Sequence, residues 1–444
     1  MTASHGIVIF SRVICGVNQM SEKNNINPFQ DTMKRLNQVF EEAKKLPAEL
    51  WGITEEELEI LRHEKRAILI NFPLKTAKGM RVINAYRVQY NDALGPNKGG
   101  IRFHHEVDLD EVKVLALWMA LKNSLLGLPY GGGKGGVTIN PKNFSKQELE
   151  AISREYVRQL HKFIGPTIDV PAPDVYTNPE IMGWMLDEYE KIKGEHLPGV
   201  ITGKPLSIGG SEGRSFSTGL GAYYVLREAM KEYKLDPKKS RAAVHGFGNA
   251  GIEIAKVLFE KGAKVIAVCD SRGAVMNEKG LDIHKLMEHK EKTGAVQKFP
   301  GAKNITNNEL LKLDVEILAP ASLADIITIE NVKDIKAKII LEVANGPIST
   351  EADEYLFKKG VIVLPDILSN AGGVTVSYFE WMQNIAGDHW DEKTVLEKLD
   401  KKMTETFKIL LNSYVKPYKL SFRTAAYVKS IKRIIQAEKD RGRI

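Results

Sequence analysis

The sequence predicts an α/β fold organised in two domains, followed by a helical C-terminal segment. The chain has 444 residues, which is more than one domain usually contains and enough for two sizeable cores. In its second half, short β-branched runs alternate with helical patterns, and this alternation is typical of a parallel sheet with helices on both faces. From about residue 375 onward the pattern is mostly helical.

The charge balance favours a small acidic ligand over a nucleic acid. The net charge is +7, but the 63 basic and 56 acidic residues are interleaved along the chain. Because no long block of like charge occurs, we expect no nucleic-acid-binding arm. A mildly basic cleft for an acidic small molecule fits this balance better.

The two cysteines and the ten histidines predict neither a disulfide scaffold nor a metal site. Cys15 and Cys269 are far apart, and neither belongs to a CxxC pair. His104 and His105 are adjacent, and neighbours on a strand point to opposite faces. A reducing cytoplasm is the simplest compartment for such a chain. No apolar run has the length of about 18 residues needed to span a membrane.

The first half reads as helices that alternate with strands. Apolar residues recur at helical spacing in residues 28–72, and Thr54 with Glu57 forms a capping box inside this region. The alternation in residues 80–90 predicts a strand, and residues 91–100 read as a loop. Asp108 and Glu111 cap a helix that continues to Leu126.

Glycine-rich and proline-rich segments follow. The stretch 131–136 has five glycines around Lys134, which predicts a loop that leads into a strand at 135–139. Further predicted elements are helices at 145–164 and 178–193, a short strand at 168–170, and a Gly/Ser-rich hinge at 203–221.

The second half opens with a dinucleotide-binding pattern. A strand at 240–245 precedes Gly246-Phe247-Gly248-Asn249-Ala250-Gly251, and a helix to Lys261 follows. The next strand, 264–269, ends in Asp270, close to the spacing of about 20 residues that is expected for the ribose-binding carboxylate. Further short strands are predicted at 315–318, 337–343 and 361–364. This arrangement predicts a Rossmann-type domain.

The same motif indicates the cofactor. Glycines permit the tight turn and the close approach of a pyrophosphate, which a helix N-terminus attracts. Asp270 would accept a hydrogen bond from a ribose 2′-hydroxyl and repel a 2′-phosphate, which favours NAD. Arg272 could instead receive a 2′-phosphate, so NADP stays possible. The alternative is a structural βα turn without a ligand.

Three lysines within a short span predict a site for a ligand with more than one negative charge. Lys98 and Lys134 are flanked by glycines, and Lys122 lies on the same helix face as Leu115 and Trp118. Taken alone, Lys122 could extend along the apolar surface to its rim. Crowding and burial lower the pKa of such lysines, and this suits them to acid–base catalysis.

Asp174 is the carboxylate that a stiff segment holds after a strand. It follows Pro171-Ala172-Pro173, and by itself it reads as a turn or helix-capping residue. Combined with a directed lysine and a nicotinamide, it becomes a candidate proton shuttle.

These motifs together resemble the glutamate dehydrogenase family, within the wider group of amino-acid dehydrogenases. The resemblance covers residues 28–444. It rests on the segments 95–103, 122–124, 129–136, 171–174, 202–205, 217–219, 246–251, 344–347 and 370–373. It implies a reversible oxidative deamination of L-glutamate to 2-oxoglutarate and ammonium, with NAD or NADP as the cofactor.

The resemblance also implies roles for individual residues. Lys134 is similar to the catalytic lysine that activates water, and Asp174 to the aspartate that moves protons to and from the amine. Lys122 resembles the lysine that grips the α-carboxylate. Lys98 and Ser377 would bind the side-chain carboxylate, and Arg214 would reach the substrate end of the cleft. The implied cofactor contacts are Thr218, Gly246, Gly248, Asn249, Ala250, Gly251, Asp270, Asn345 and Asn370.

Lys98 and Ser377 favour glutamate among the possible substrates. A buried lysine that faced an isobutyl group without a counter-ion would be costly by several kcal/mol. Dehydrogenases for branched-chain or aromatic amino acids remain the alternative enzymes. A non-catalytic nucleotide-sensing binder is the alternative from another class. Two positions depart from the commonest family pattern, namely Gly251 and Met119.

The expected domain organisation has four parts. Residues 1–19 read as a disordered extension, and 20–205 as a substrate-binding and oligomerisation domain. Residues 206–414 would form the dinucleotide-binding domain, and 415–444 helices that pack back on the first domain. The resemblance implies a homohexamer, and no contact with nucleic acid or a membrane is expected.

Overall fold

The computed structural model describes residues 28–77 and 79–444. The extension expected at residues 1–19 and Cys15 therefore lie outside the described residues. Within the described part, two sheets with their helices confirm the α/β fold of two domains, and no described helix is long and apolar enough to cross a membrane.

The first sheet has five strands in the order β1-β2-β4-β3-β5. Strands β1 and β2 pair antiparallel, as do β2 and β4, whereas β3 runs parallel to both β4 and β5. The strands are β1 Arg66–Thr76, β2 Gly79–Asn91, β3 Asn97–His104, β4 Gly132–Thr138 and β5 Asp169–Pro173.

Five helices accompany this sheet, and two of them begin at the predicted caps. Thr54 and Glu57 form the capping box, and Asp108 accepts a hydrogen bond from the Glu111 amide. Helix α3 is buried on nearly all sides, so it is the central helix of the domain. The helices are α1 Pro28–Ala43, α2 Glu55–Leu58, α3 Leu109–Leu125, α4 Lys146–Leu160 and α5 Pro179–Lys193.

The second sheet has seven strands in the order β12-β11-β10-β6-β7-β8-β9. The five strands from β12 to β7 are parallel, but β8 and β9 are antiparallel additions at one edge, which the prediction of a purely parallel sheet missed. The strands are β6 Arg241–His245, β7 Lys264–Asp270, β8 Gly273–Met276, β9 Lys303–Ile305, β10 Ile317–Pro320, β11 Ile339–Leu341 and β12 Ile362–Leu364.

The remaining helices include the predicted C-terminal return. Helix α15 packs against α3 and α1 of the first domain, and the Ser124 hydroxyl donates to the Ser430 carbonyl at 2.7 Å. The helices are α6 Ser217–Glu232, α7 Asn249–Glu260, α8 Ile283–Thr293, α9 Asn307–Leu311, α10 Thr350–Lys359, α11 Asp366–Ser369, α12 Gly372–Ala386, α13 Glu392–Leu410, α14 Lys416–Tyr418 and α15 Phe422–Asp440.

Two segments on the first sheet differ from their predicted secondary structure. Residues 66–72 were expected in a helix but lie in β1, where Ile70, Phe72 and Leu74 are buried in alternation. Other apolar residues in this strand obscure the two-residue alternation in the sequence. Residues 97–100 were expected in a loop but form the start of β3, which pairs with β5.

Candidate active site

The glycine-rich stretch around Lys134 is a strand rather than a flexible loop. Residues Gly132–Thr138 form β4, between β2 and β3. A Cβ at Gly132 would lie 2.3 Å from the Ala116 carbonyl oxygen, and one at Gly135 would lie 2.3 Å from the Tyr156 hydroxyl. The glycines are therefore required by close packing, and Lys134 is held on a buried strand.

Lys98 and Lys134 lie on the neighbouring strands β3 and β4. These strands also approach closely, because a Cβ at Gly99 would lie only 1.6 Å from the Gly133 carbonyl oxygen. Lys122 reaches the same region from α3. All three lysines are buried, so the structure brings together the cluster that the sequence predicts.

Lys134 and Asp174 form a direct ion pair. The Lys134 ammonium donates to Oδ1 of Asp174 at 2.8 Å, and Arg102 donates from Nε to Oδ2 at the same distance. Arg102 also donates from Nη1 to Glu111 at the start of α3. The site therefore contains a four-residue cluster of two cations and two carboxylates.

Burial and pairing shift the protonation of this pair. Burial lowers the pKa of Lys134 below its ordinary value, although Asp174 pulls it in the opposite direction. Burial by itself would raise the pKa of Asp174, but Lys134 and Arg102 outweigh it and hold that pKa well below the usual range. Burial thus disfavours the charged form of Lys134, whereas the two neighbouring cations favour the ionised form of Asp174.

Lys122 does not extend to the protein surface. Its ammonium donates to Oδ1 of Asn370 at 2.6 Å, and Asn370 donates from Nδ2 to Oδ1 of Asn345 at 2.9 Å. Burial lowers the pKa of Lys122 to about 8. Lys122, Asn370 and Asn345 therefore form one hydrogen-bonded chain. It links the predicted α-carboxylate clamp to the two asparagines predicted on the nicotinamide side.

Lys98, Arg214 and Ser377 form the other end of the site. Arg214 donates from Nε to the Ser377 hydroxyl at 3.3 Å, and neither Lys98 nor Arg214 forms an ion pair with any residue that the structure describes. Burial, followed by the charges of Arg87 and Arg214, brings the pKa of Lys98 well below its ordinary value. Burial also lowers the pKa of Arg214. Two desolvated cations beside a hydroxyl make a strong site for an anion.

A buried ion pair that the sequence reasoning missed supports this end of the site. The Lys204 ammonium donates to Glu380 at 2.6 Å, and both side chains are fully buried. Glu380 also accepts from the Gly203 amide at 2.8 Å, and it lies three residues after Ser377 on α12. Lys204 belongs to a motif that the sequence reasoning had noted, but nothing in the sequence marked Glu380 as its partner.

The predicted dinucleotide motif lies where β6 meets α7. Strand β6 is central in the second sheet, with β10 on one side and β7 on the other, so its carboxyl end is a topological switch point. Gly246 has φ +110°, and a Cβ at Gly251 would lie 1.9 Å from the Gly246 carbonyl oxygen. A Cβ at Gly248 would meet no heavy atom of the protein within 4 Å. The turn thus leaves free space at Gly248 itself, beside the N-terminus of the helix.

The other predicted cofactor residues surround this turn. Asn249 and Ala250 begin α7, and Thr218 lies in the first turn of α6, which packs on α7. The arrangement fits a bound dinucleotide, because the α7 amides and the free space at Gly248 can receive a pyrophosphate.

Asp270 ends β7 as predicted, but its carboxylate already has partners. It accepts from the Arg272 amide at 2.9 Å and from the Val296 amide at 2.8 Å. The Lys290 ammonium lies 3.7 Å away, a cation that the sequence reasoning missed. Each carboxylate oxygen can accept a further hydrogen bond, so the partners leave room for a ribose hydroxyl.

The expectation that His104 and His105 point apart is wrong. Strand β3 ends at His104, and the two rings lie 4.4 Å apart between centroids. Their ligand atoms and that of Glu106 lie within 4.8 Å of one another. His105 and Glu106 are exposed, and surface groups of this kind are common without a bound metal.

Comparison with protein-family models gives two matches. Residues 209–442 match the model described as glutamate/leucine/phenylalanine/valine dehydrogenase. Residues 63–191 match the model described as the dimerisation domain of the same group.

Individual relatives agree over almost the whole chain. An NADP-specific glutamate dehydrogenase of Synechocystis is 43% identical over 424 residues, covering 93% of this chain and 97% of the relative. A catabolic NAD-specific glutamate dehydrogenase of Bacillus subtilis is 42% identical over 427 residues, covering 96% and 98%. The crystal structure of a hetero-hexameric glutamate dehydrogenase from Thermus thermophilus superposes with a TM-score of 0.88 at 32% identity, covering 96% and 99%.

Proposed function

The chain belongs to the glutamate/leucine/phenylalanine/valine dehydrogenase family, and we propose that it interconverts L-glutamate with 2-oxoglutarate and ammonium, using NAD or NADP. Relatives at 42% and 43% identity that are named glutamate dehydrogenases support this substrate.

The observation that carries the proposal is the pair of buried cations at Lys98 and Arg214. Both groups are desolvated without an ion-pair partner among the described residues, and burial lowers the pKa of each, so a bound anion would favour the charged form of both. The γ-carboxylate of glutamate supplies that anion, with Ser377 as a further hydrogen-bond donor. The apolar side chains of leucine, valine or phenylalanine would leave both cations unpaired. This disfavours the branched-chain and aromatic alternatives.

The remaining lysines divide the other tasks. Lys122, oriented by Asn370, holds the α-carboxylate. When bound at this site, a nicotinamide would supply the hydride acceptor that oxidises the α-carbon to the imine level. Lys134, with its lowered pKa, takes a proton from a water molecule that attacks this carbon. Asp174, hydrogen-bonded to Lys134, relays that proton from Lys134 to the amine. The C–N bond then breaks, ammonia leaves, and Lys134, neutral again, takes the hydroxyl proton as the ketone forms.

For the cofactor we propose NAD, and NADP use stays open. Asp270 at the end of β7 suits a ribose 2′-hydroxyl, whereas Arg272 and Lys290 beside it suit a 2′-phosphate. Of two relatives with nearly equal identity, one is named NADP-specific and the other NAD-specific.

We further propose a homohexamer that acts in the cytoplasm, without a nucleic-acid or membrane partner. Strand β1 is an edge of its sheet, and Leu69, Met80 and Val82 on the β1–β2 hairpin are exposed. Such an apolar edge is suited to pairing with another subunit. The related Thermus thermophilus structure is described as hetero-hexameric, which supports six subunits, and a matched family model is described as a dimerisation domain.

Steady-state kinetics at 340 nm with glutamate, leucine and phenylalanine, each with NAD and NADP, test the proposal. We expect kcat/KM to be highest for glutamate. A higher value for leucine or phenylalanine would reassign the substrate, and no reduction of either cofactor would favour the non-catalytic binder.

Variants test the residue roles. Lys98→Met should raise the KM for glutamate about 100-fold, since a charge-assisted contact with a buried carboxylate is lost. Lys401→Met, which changes an exposed lysine on α13, is the matched control and should leave KM unchanged. Lys134→Ala should abolish turnover, and activity within tenfold of the wild-type enzyme would exclude its assigned role.

A further inference from the structure

Arg102 is shared between the candidate proton shuttle and a glutamate on α3. Its Nε donates to Oδ2 of Asp174 at 2.8 Å, and its Nη1 donates to Oε1 of Glu111. The Arg102 side chain is 18% exposed, and those of Asp174 and Glu111 are 19% and 29% exposed, so these contacts are largely shielded from water. Neither Arg102 nor Glu111 has a role in the scheme above.

The backbone leaves Asp174 little freedom to move away from Arg102. The Asp174 amide donates to the Thr177 hydroxyl at 2.7 Å, and that hydroxyl donates to the Ile101 carbonyl at 2.9 Å. A Cβ at Gly100 would lie 2.7 Å from the Asp174 Cβ. Gly100 therefore lets the Asp174 side chain lie directly against β3, between Lys134 and Arg102.

We propose that Arg102 and Glu111 are positioning residues that fix the Asp174 carboxylate and set the protonation balance of the Lys134–Asp174 pair. This inference rests on the proposed function. Arg102 occupies the Asp174 oxygen that Lys134 does not use, so Oδ1 stays directed at Lys134. Glu111 holds the other side of the guanidinium and neutralises part of its charge.

The charges of the cluster fix the direction of each effect. Lys134 and Arg102 are cations, Asp174 and Glu111 are anions, and together they are balanced. Removing the charge of Arg102 leaves an excess of negative charge, which favours the protonated form of Lys134. Removing the charge of Glu111 leaves an excess of positive charge, which favours the neutral form of Lys134.

Charged groups on neighbouring elements act on Lys134. The pKa of Lys134 is lowered by burial first, raised by Asp174, lowered by Arg102 and raised by Glu111. Lys122 reaches the region from α3, and Asp366 on α11 partly offsets its charge. Arg102 on β3 thus lowers the pKa of Lys134, and Glu111 on α3 raises it.

The test is the pH dependence of kcat/KM for glutamate oxidation. Lys134 must be neutral to take a proton from water, so the rate rises with pH through the pKa of the pair. Arg102→Gln should move this acid limb upward by about one pH unit, and Glu111→Gln should move it downward by up to the same amount. The KM for glutamate should stay within about threefold, because Lys98 and Lys122 are unchanged.

Two further variants separate this role from a structural one. Arg102→Lys keeps the positive charge, so its acid limb should return toward the wild-type position. Arg227→Gln breaks a comparable arginine–carboxylate contact, with Asp400 on α13, and should leave the limb in place. A general loss of structure would not move the limb in opposite directions for Arg102→Gln and Glu111→Gln.

The outcomes also distinguish this inference from the proposed function. Limbs that stay in place, or that move in the same direction for both variants, would overturn the inference. If Arg102→Gln does not fold, Glu111→Gln alone tests the inference. A general loss of structure would not move the acid limb of its pH profile downward. If the wild-type enzyme does not oxidise glutamate, or Lys134→Ala retains activity, the proposed function itself fails.

Discussion

Replacing Gly248 by alanine should weaken cofactor binding while leaving the protein fold intact. Gly248 lies directly before α7, with φ −85° and ψ −166°, a backbone conformation that alanine adopts without strain. The added Cβ would meet no heavy atom of the protein within 4 Å. Any effect of the methyl group must therefore come from a ligand that approaches this turn.

The expected magnitudes follow from this geometry. Alanine restricts the unfolded chain, which stabilises by about 0.4–1 kcal/mol, but it is a poorer helix N-cap than glycine by a similar amount. The free energy of unfolding should therefore change by less than about 1 kcal/mol. A displaced pyrophosphate would lose one charge-assisted hydrogen bond to the α7 amides, worth about 1.5–3 kcal/mol. That loss corresponds to a Kd about 10 to 150 times higher.

Two measurements on each variant separate these effects. Isothermal titration with NADH and with NADPH gives Kd, and urea unfolding without cofactor gives stability. Gly251→Ala is the matched control, because its Cβ would lie 1.9 Å from the Gly246 carbonyl oxygen and should destabilise the fold itself. If Gly248→Ala bound both cofactors as tightly as the wild-type protein, the pyrophosphate would not approach this turn and the assigned site would be wrong.

Three further predictions concern other parts of the site. Burial lowers the pKa of Lys122 to about 8, so the ammonium loses its proton above that pH. Inhibition by glutarate, which has two carboxylates and no amine, should therefore weaken about fivefold from pH 8 to pH 9. An inhibition constant that does not change over this range would exclude Lys122 as the α-carboxylate clamp. Glu380→Gln leaves Lys204 buried without a counter-ion and should destabilise the protein by about 3–5 kcal/mol. The double variant Lys204→Met with Glu380→Leu should recover most of that stability, as measured by thermal unfolding. Equal stability of the single and double variants would contradict the ion-pair argument. Gly99→Ala would force β3 away from β4 and should lower the free energy of unfolding by about 3 kcal/mol, which a lower urea unfolding midpoint would show. An unchanged midpoint would show that the strands separate easily.

Local signals in the sequence were sufficient for most elements of the fold. The capping box of Thr54 and Glu57, the alternation in β2 and the glycine motif before α7 depend on residues close together in the chain. Such patterns follow from local backbone geometry, so they can be recognised without knowledge of tertiary contacts. The antiparallel edge of β8 and β9 was missed because these strands are short, with four and three residues.

The contacts that complete the site could not be predicted in the same way. Arg102 and Asp174 are 72 residues apart, and Lys204 and Glu380 are 176 apart. No spacing rule connects residues at such distances, and only the fold brings them together. The resemblance supplied the residues expected to touch substrate and cofactor. It supplied no role for Arg102 or Glu111, which act through a neighbour.

The glycine-rich stretch shows why a correct list of residues can accompany a wrong picture of their surroundings. A run of glycines suggests a flexible loop because glycine is conformationally permissive. Here the absence of side chains instead allows β3 and β4 to pack at a distance that any Cβ would prevent. Lys98 and Lys134 thereby project from two strands that cannot easily move apart. Because a shift of about 1 Å can slow catalysis 100-fold, we infer that these glycines contribute to catalysis by making the lysine-bearing strands rigid.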